Sequence, residues 1–295
     1  MSGNQVIYAL GEDKAPVAEV QPGELVVFET IDAFGNQIQT EKDLFESADW
    51  STVNPATGPV TVKGAQPGDV LVVDILDIEV ADTGVMVAVP GMGALGHIIQ
   101  ESESRILKIE HGFVQFNDAI RLPVDPMIGV IGTAPADEPV PTGTPGHHGG
   151  NMDTKEIKKG ARLYLPVFKE GALLAMGDFH AVMGDGEVVI CGVEVAGRAT
   201  VRIDLVKAVD LATPIVESKD HWFIIGTGAD LDAAARYTLD QTYKFLNDRL
   251  PLTKNEICML MSVIGDLQIS QIVDPQITCR MAIAKVHLAR YGLRF

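Results

Sequence analysis

Apolar and polar positions alternate with a period of two along most of the chain, and the pattern turns helical only near its end. Between residues 69 and 80, Val70, Val72, Asp74, Leu76, Ile78 and Val80 fall on one face, and Leu71, Val73, Ile75 and Asp77 on the other. Successive side chains of a strand point to opposite faces. This segment therefore predicts a strand that is largely apolar on both faces and covered on both sides. Glu24 to Glu29, Val85 to Val89 and Trp222 to Ile225 also read as strands. From Leu231 the apolar or small positions become Leu231, Ala234, Ala235, Thr238, Thr242, Phe245 and Leu246, the spacing of one helix face. Thr253-Lys254-Asn255-Glu256, just after Pro251, has capping-box spacing and predicts a second helix carrying Ile257, Leu260, Met261 and Ile264. Leu267 to Val273 alternates again, and Pro275 ends it. The pattern predicts a mainly β protein with a small C-terminal α/β subdomain.

Glycine and proline punctuate these segments. Gln21-Pro22-Gly23-Glu24 and Gln66-Pro67-Gly68-Asp69 are near-identical turn signals, each placed before a strand, and hint at a repeated β unit. Pro90 to Gly96 contains Gly91, Gly93 and Gly96 in Gly-x-Gly-x-x-Gly spacing. No helix or βαβ unit follows, so a mobile loop or lid is the better reading than a dinucleotide site, and His97 after it is a lesser candidate for lining a cleft. Residues 133–150, with four prolines, are the longest irregular stretch. Long ordered loops tend to carry sites. This one ends in Gly149-Gly150-Asn151-Met152-Asp153, where glycines admit a ligand to the backbone and Asp153 supplies a carboxylate.

The densest chemistry lies in Gly177-Asp178-Phe179-His180-Ala181-Val182-Met183-Gly184-Asp185-Gly186-Glu187. Two Asp, one His and one Glu within ten residues are the groups that bind metals or move protons. Ala172 to Ala175 and Glu187 to Ile190 read as flanking strands, with Met183 to Gly186 as the turn. Asp178 and His180 then share a face. A hairpin closed symmetrically on that turn sets Val182 opposite Glu187 and adds Glu187 to the same face. The plainer account is a solvated turn, since Asp-Gly is first of all a turn signal.

His148-Gly149-Gly150-Asn151-Met152-Asp153, Leu163 to Val167, Gly171-Ala172-Leu173 and the Gly-Asp-x-His and Gly-Asp-Gly-Glu blocks resemble the acetamidase/formamidase family. Asn54 to Val60 and Gly64 to Asp69 resemble its N-terminal signature. The resemblance runs in family order from about Asp32 to Pro275. One departure is Met183, where the family pattern usually has Gln before Gly-Asp-Gly-Glu; this leaves substrate preference, lactams included, open. The resemblance implies β-sandwich or jelly-roll-like units with helices added late. It also implies assembly as a homodimer or higher homo-oligomer, and hydrolysis of small linear amides such as formamide or acetamide. The expected organisation is one unit over residues 1–295, with a sub-division at 1–145, 146–228 and 229–295 open.

Composition narrows the partners. With 23 basic against 40 acidic residues the net charge is −17, which argues against nucleic acid and anionic membranes. Cys191, Cys258 and Cys279 are odd in number and widely spaced, without Cys-x-x-Cys, so buried free thiols are expected rather than disulfides or a thiolate zinc site. The first residues lack a basic region followed by an apolar run, and no apolar stretch is long enough to span a bilayer, so the expected location is cytoplasmic.

For the leading function, Asp178 and His180 are the candidate ligands of Zn²⁺, with Asp153 and Asp32 in or beside the shell; Ca²⁺ is the alternative ion. Asp32, in Thr30-Ile31-Asp32-Ala33-Phe34-Gly35, reads equally as a carboxylate folded onto its own turn. Glu187 is the candidate general base and acid, with Asp185 beside it. Asn151 or the backbone amides of Gly149 and Gly150 are candidates for stabilising an oxyanion. No Gly-x-Ser-x-Gly elbow occurs, and no cysteine lies in these blocks, which disfavours a covalent amidase. The competing class is a non-catalytic β protein stabilised by Ca²⁺; a carboxylate-pair glycosidase is weakened by only 6% aromatic residues.

Overall fold

The computed structural model describes residues 1–11 and 14–295. Two β-sheets are stacked on one shared core. In the eight-stranded sheet, the order is Gly265–Gln271, Ile277–Ala284, His221–Gly228, Ile215–Glu217, Arg162–Pro166, Val70–Val80, Gly197–Val206, Glu24–Thr30, and every neighbouring pair is antiparallel. The larger sheet is built around Leu174–His180, which pairs with Met127–Gly132 along one edge. Along its other edge it pairs first with Ala56–Val62 and then with Glu194–Val195. Val26, Phe28, Val73 and Ile75 from one sheet meet Ile128, Ile131, Met176 and Phe179 from the other in the main core. This is the mainly β architecture that the alternation predicts, in the sandwich-like form that the family resemblance implies.

Burial explains why Val70–Val80 is apolar on both faces: four of its first residues, Val70 to Val73, are all buried. One face looks into the shared core. The other, with Val70 and Val72, packs under the C-terminal helices against Tyr164, Trp222 and Phe245. The strand is polar where it leaves that cover, at Asp74, Asp77 and Glu79.

The twin turn signals form the same turn twice. Gln21 accepts from the backbone N–H of Glu24 at 3.1 Å, and Gln66 from that of Asp69 at 3.0 Å. In each, the acid's carboxylate accepts from the glutamine N–H, at 2.8 Å in both. The strands that follow, Glu24–Thr30 and Val70–Val80, flank Gly197–Val206 on its two sides.

Helices Leu231–Asn247 and Lys254–Ile264 cover the end of the eight-stranded sheet. Thr253 and Glu256 form the predicted capping box in full. Among the described residues no helix is long and apolar enough to cross a membrane. Cys191 and Cys279 are buried as expected, whereas Cys258 is exposed on the second helix.

Candidate active site

The segment between His180 and Glu194 departs from the expected tight hairpin. Leu174–His180 is a strand, but Glu187 to Ile190 is not. The chain leaves the sheet after His180 and returns only at Glu194, which pairs directly with His180, as Val195 does with Phe179. Glu187 instead sits in the intervening loop with a left-handed backbone, φ 48°. Asp153 and Asp178 share that conformation, at φ 41° and 56°. Such backbones are uncommon outside glycine and cost on the order of 1–3 kcal/mol each, so they gather where function over-determines them.

Four carboxylates converge on one imidazole nitrogen. From His180 Nε2 it is 3.1 Å to Glu194 Oε1, 3.3 Å to Asp178 Oδ1, 3.8 Å to Asp153 Oδ1 and 3.9 Å to Glu187 Oε1. All five residues are buried. Two groupings have the spacing of a metal centre: Asp153, His180 and Glu187, and Asp178, His180 and Glu194. Ligands about 2.1 Å from a tetrahedral ion lie about 3.4 Å from one another, within the observed spread.

Glycines make the convergence possible. A Cβ on Gly129 would lie 2.5 Å from carboxylate oxygens of both Asp153 and Asp178. A Cβ on Gly192 would lie 2.8 Å from His180 Nδ1. Any side chain at either position would push the ligand atoms apart. The backbone N–H of Gly192 also donates to Glu194 Oε1 at 2.9 Å.

The electrostatics are those of a site short of positive charge. Burial, then the nearby carboxylates of Asp274 and Asp178, hold the Asp153 carboxyl well above the usual carboxylate range. Burial and Asp153 do the same to Glu187. Burial also raises Glu194, against the pull of His180. For His180, burial opposes the charge, but Glu194 and Asp178 outweigh it and raise the imidazole well above its ordinary value. Asp178 goes the other way: burial is overcome by His180, and its pKa falls. Both Asp153 oxygens, Glu187 Oε2 and Glu194 Oε2 are buried without a hydrogen-bond partner among the described residues. Burying a charge without compensation costs several kcal/mol. A cation fits this donor set and answers both the unpartnered oxygens and the excess negative charge.

The remaining candidates fall into three places. Asp32 lies beside the cluster, buried, close enough to Asp178 for the two charges to interact, and its carboxylate accepts from the Asn36 N–H at 2.8 Å. The turn reading of Asp32 has its counterpart in that bond, and Asp32 is in neither grouping with metal-centre spacing. Asn151 is buried next to the cluster, but its Nδ2 donates to Asp274 Oδ2 at 2.9 Å, and the Gly149 N–H donates to Gly146. One of the two Asn151 Nδ2 hydrogens and the Gly149 N–H are thus committed within the protein. Asp185 does not join the cluster. Arg280 Nη2 holds both its oxygens, at 2.9 and 2.8 Å, and Lys155 lies 3.1 Å away. The buried Arg280 also donates to Ile269 O and Ser270 Oγ. It thereby ties the turn that precedes Glu187 to the neighbouring sheet edge.

Two residues were not legible in the sequence. A short turn after His180 leaves Glu194 outside the site; its signal in the sequence is the Val193-Glu194-Val195 alternation. Asp274 lies just before Pro275, past the alternating strand, yet its carboxyl is raised well above its usual value by burial and Glu187. His97 is exposed and is not part of the cluster. The glycine-rich loop before it does lie over the site loop, with the Ala94 N–H donating to Val188 O at 2.9 Å.

The sequence profile of the Acetamidase/Formamidase family matches residues 9–142 and 136–286. The chain belongs to the acetamidase/formamidase family. An acetamidase from Bacillus halodurans shares 45% identity over 99% of both chains, with a TM-score of 0.97. An acetamidase from Yersinia enterocolitica shares 30% over 97% of this chain and 90% of its own, with a TM-score of 0.92. A formamidase of Methylophilus methylotrophus is 28% identical over 66% of this chain and 62% of its own length. The chain spans about six-tenths of the length of the curated relatives that it matches.

Proposed function

We propose that this protein is a metal-dependent amidohydrolase that cleaves small linear amides to a carboxylate and ammonia. The observation that carries the reading is the convergence of Asp153, Asp178, Glu187 and Glu194 on His180 Nε2. Membership of the acetamidase/formamidase family supports the substrate class.

One imidazole nitrogen ligates one ion, so the two groupings that share His180 are best treated as a single centre. Asp178, His180 and Glu194 would hold the ion, with Asp153 beside them and Asp32 behind Asp178. The nitrogen donor favours Zn²⁺ over Ca²⁺, which takes six to eight oxygens. An ion of this kind, when bound, supplies Lewis acidity that polarises an amide carbonyl and acidifies water.

The protein's own groups do the rest. Glu187, as carboxylate, takes a proton from the attacking water. Its raised pKa, caused by burial and Asp153, then suits it to hold that proton and deliver it to the departing nitrogen. Arg280, through Asp185, fixes the turn from which Glu187 projects. Asn151 orients Asp274 at the rim. The burial of the cluster limits the access of bulk water to these protons.

Ammonia release from formamide and acetamide by metal-analysed protein, beside Glu187→Gln, tests the reading. Release by the wild type that is lost in the folded variant supports it. An inactive protein with a filled metal site returns the structural-metal alternative to first place.

Self-association belongs to the same reading. Its support is an apolar surface at the edge strand Gly265–Gln271, where Leu267 and Ile269 are exposed, as are Met259 and Val263 of the second helix. A Leu267→Lys variant that lowers the mass measured by light scattering would support it.

A further inference from the structure

A cleft of about 290 Å³ opens beside Glu187, lined by Met86, Phe116, Leu122, Val182, Met183 and Val189. Glu187 and Gly192 also line it, and Gly192 lies against the His180 ring. The cleft therefore borders the candidate centre through Glu187 and Gly192, while His180, Asp153, Asp178 and Glu194 lie behind them. Apart from Glu187 and Asp185 at one end, its lining carries no charged side chain.

The walls are held in place. Phe113–Gln115 and Arg121–Pro123 form a hairpin that supplies Phe116 and Leu122. The Arg105 guanidinium stacks 4.8 Å from the centre of the Phe116 ring and donates to the Phe116 carbonyl at 2.9 Å. On the opposite side, Ala94 pins Val188 at the mouth. Met183, with an unbranched and polarizable side chain, is nearly buried in this wall.

This size and chemistry do not suit formamide or acetamide alone. At about 30 Å³ per liquid water, the cleft has the space of roughly ten waters, whereas acetamide has four heavy atoms. Apart from Glu187 and Asp185, the side chains that line it are apolar or thiol and give a small amide little to hydrogen-bond. Resting on the amidohydrolase reading above, we infer that this cleft is an acyl-chain subsite and that the preferred substrates are primary amides with an apolar acyl group of about four to six carbons. Hydrolysis balances as for any amide. Water oxygen forms the new C–O bond, the C–N bond breaks, and the proton from water passes through Glu187 to the leaving nitrogen, giving fatty acid and ammonia.

The test is kcat/KM for ammonia release from acetamide, butyramide and hexanamide, with metal-loaded wild type and Met183→Gln. Each fully buried methylene is worth about fourfold, so hexanamide should exceed acetamide by at least roughly tenfold. Met183→Gln, of equal length but polar, should shrink that ratio severalfold. Hexanoate should inhibit more tightly than acetate by a similar factor. Release that is flat or falls with chain length overturns the acyl-subsite inference and leaves the amidohydrolase reading standing. An unchanged ratio in Met183→Gln also overturns it. No release from any of the amides overturns both.

Discussion

Glu194 and His180 face each other across one register of an antiparallel pair, with Glu194 Oε1 3.1 Å from His180 Nε2. The sheet itself therefore presets one edge of the candidate centre. Sites fixed on strands are more precise than sites on loops. Glu194→Gln keeps the shape but removes the charge, and should weaken metal binding by at least roughly tenfold, with the fold intact. Competition against a chromophoric chelator measures it, and circular dichroism checks the fold.

Glu187 reaches the same point from a loop rather than the sheet. Glu187→Gln should lower kcat by about 10²- to 10⁴-fold, the usual worth of a general acid–base, while the metal content stays at the wild-type value. Loss of metal in this variant would make Glu187 a ligand instead.

Asp185 offers the contrasting case. Its carboxylate is held by Arg280 and Lys155, so Asp185→Asn should act only by loosening the turn. The expected kcat loss is about tenfold or less, well short of the Glu187 effect. The conservative Asp185→Glu should recover part of it. Equal losses at 185 and 187 would give Asp185 a direct part in catalysis.

The contrast between Glu187 and Asp185 shows how far the sequence could be read. Periodicity carried the strands and helices, because burial on one face or both leaves a local signature; Val70–Val80 and the Thr253 cap are examples. It also brought Asp178, His180, Asp153 and Glu187 to notice as residue types near glycines. The closure of the loop after His180 was not legible. Register depends on where the chain returns to the sheet, and the residues that decide it, Gly192 against the His180 ring and Gly186 donating to Ser270 O at 2.8 Å, act through contacts between distant segments. Asp185 and Glu187, two positions apart, consequently part company.

His148 offers a pH signature outside the cluster. Burial, and then the neighbouring His147, depress its pKa to about 4. Between roughly pH 6.5, the ordinary histidine value, and pH 4, the unfolded chain binds the proton and the folded chain does not. Stability therefore rises with pH across this window and is lost as pH falls through it. The loss is complete below about pH 4 and amounts to roughly 3 kcal/mol at most. The raised carboxyls of the metal-free cluster bind protons in the folded state and contribute with the opposite sign. Urea unfolding of wild type and His148→Leu at matched metal content isolates the histidine: the variant should lose stability less steeply from pH 6.5 to 4. Parallel curves would contradict the assignment.

The capping box gives a check on the subdomain alone. Thr253→Ala removes the hydroxyl that accepts from the Glu256 N–H and should cost about 1 kcal/mol. Chemical denaturation at fixed pH reads this directly, and amide hydrolysis should be unaffected.

The most direct test of the central claim is ammonia release from an amide substrate before and after removal of metal. The protein should contain about one ion per chain, lose activity and a few degrees of Tm on chelation, and regain both on addition of Zn²⁺. Full activity in folded, metal-free protein would contradict the account, as would a filled site that hydrolyses no amide.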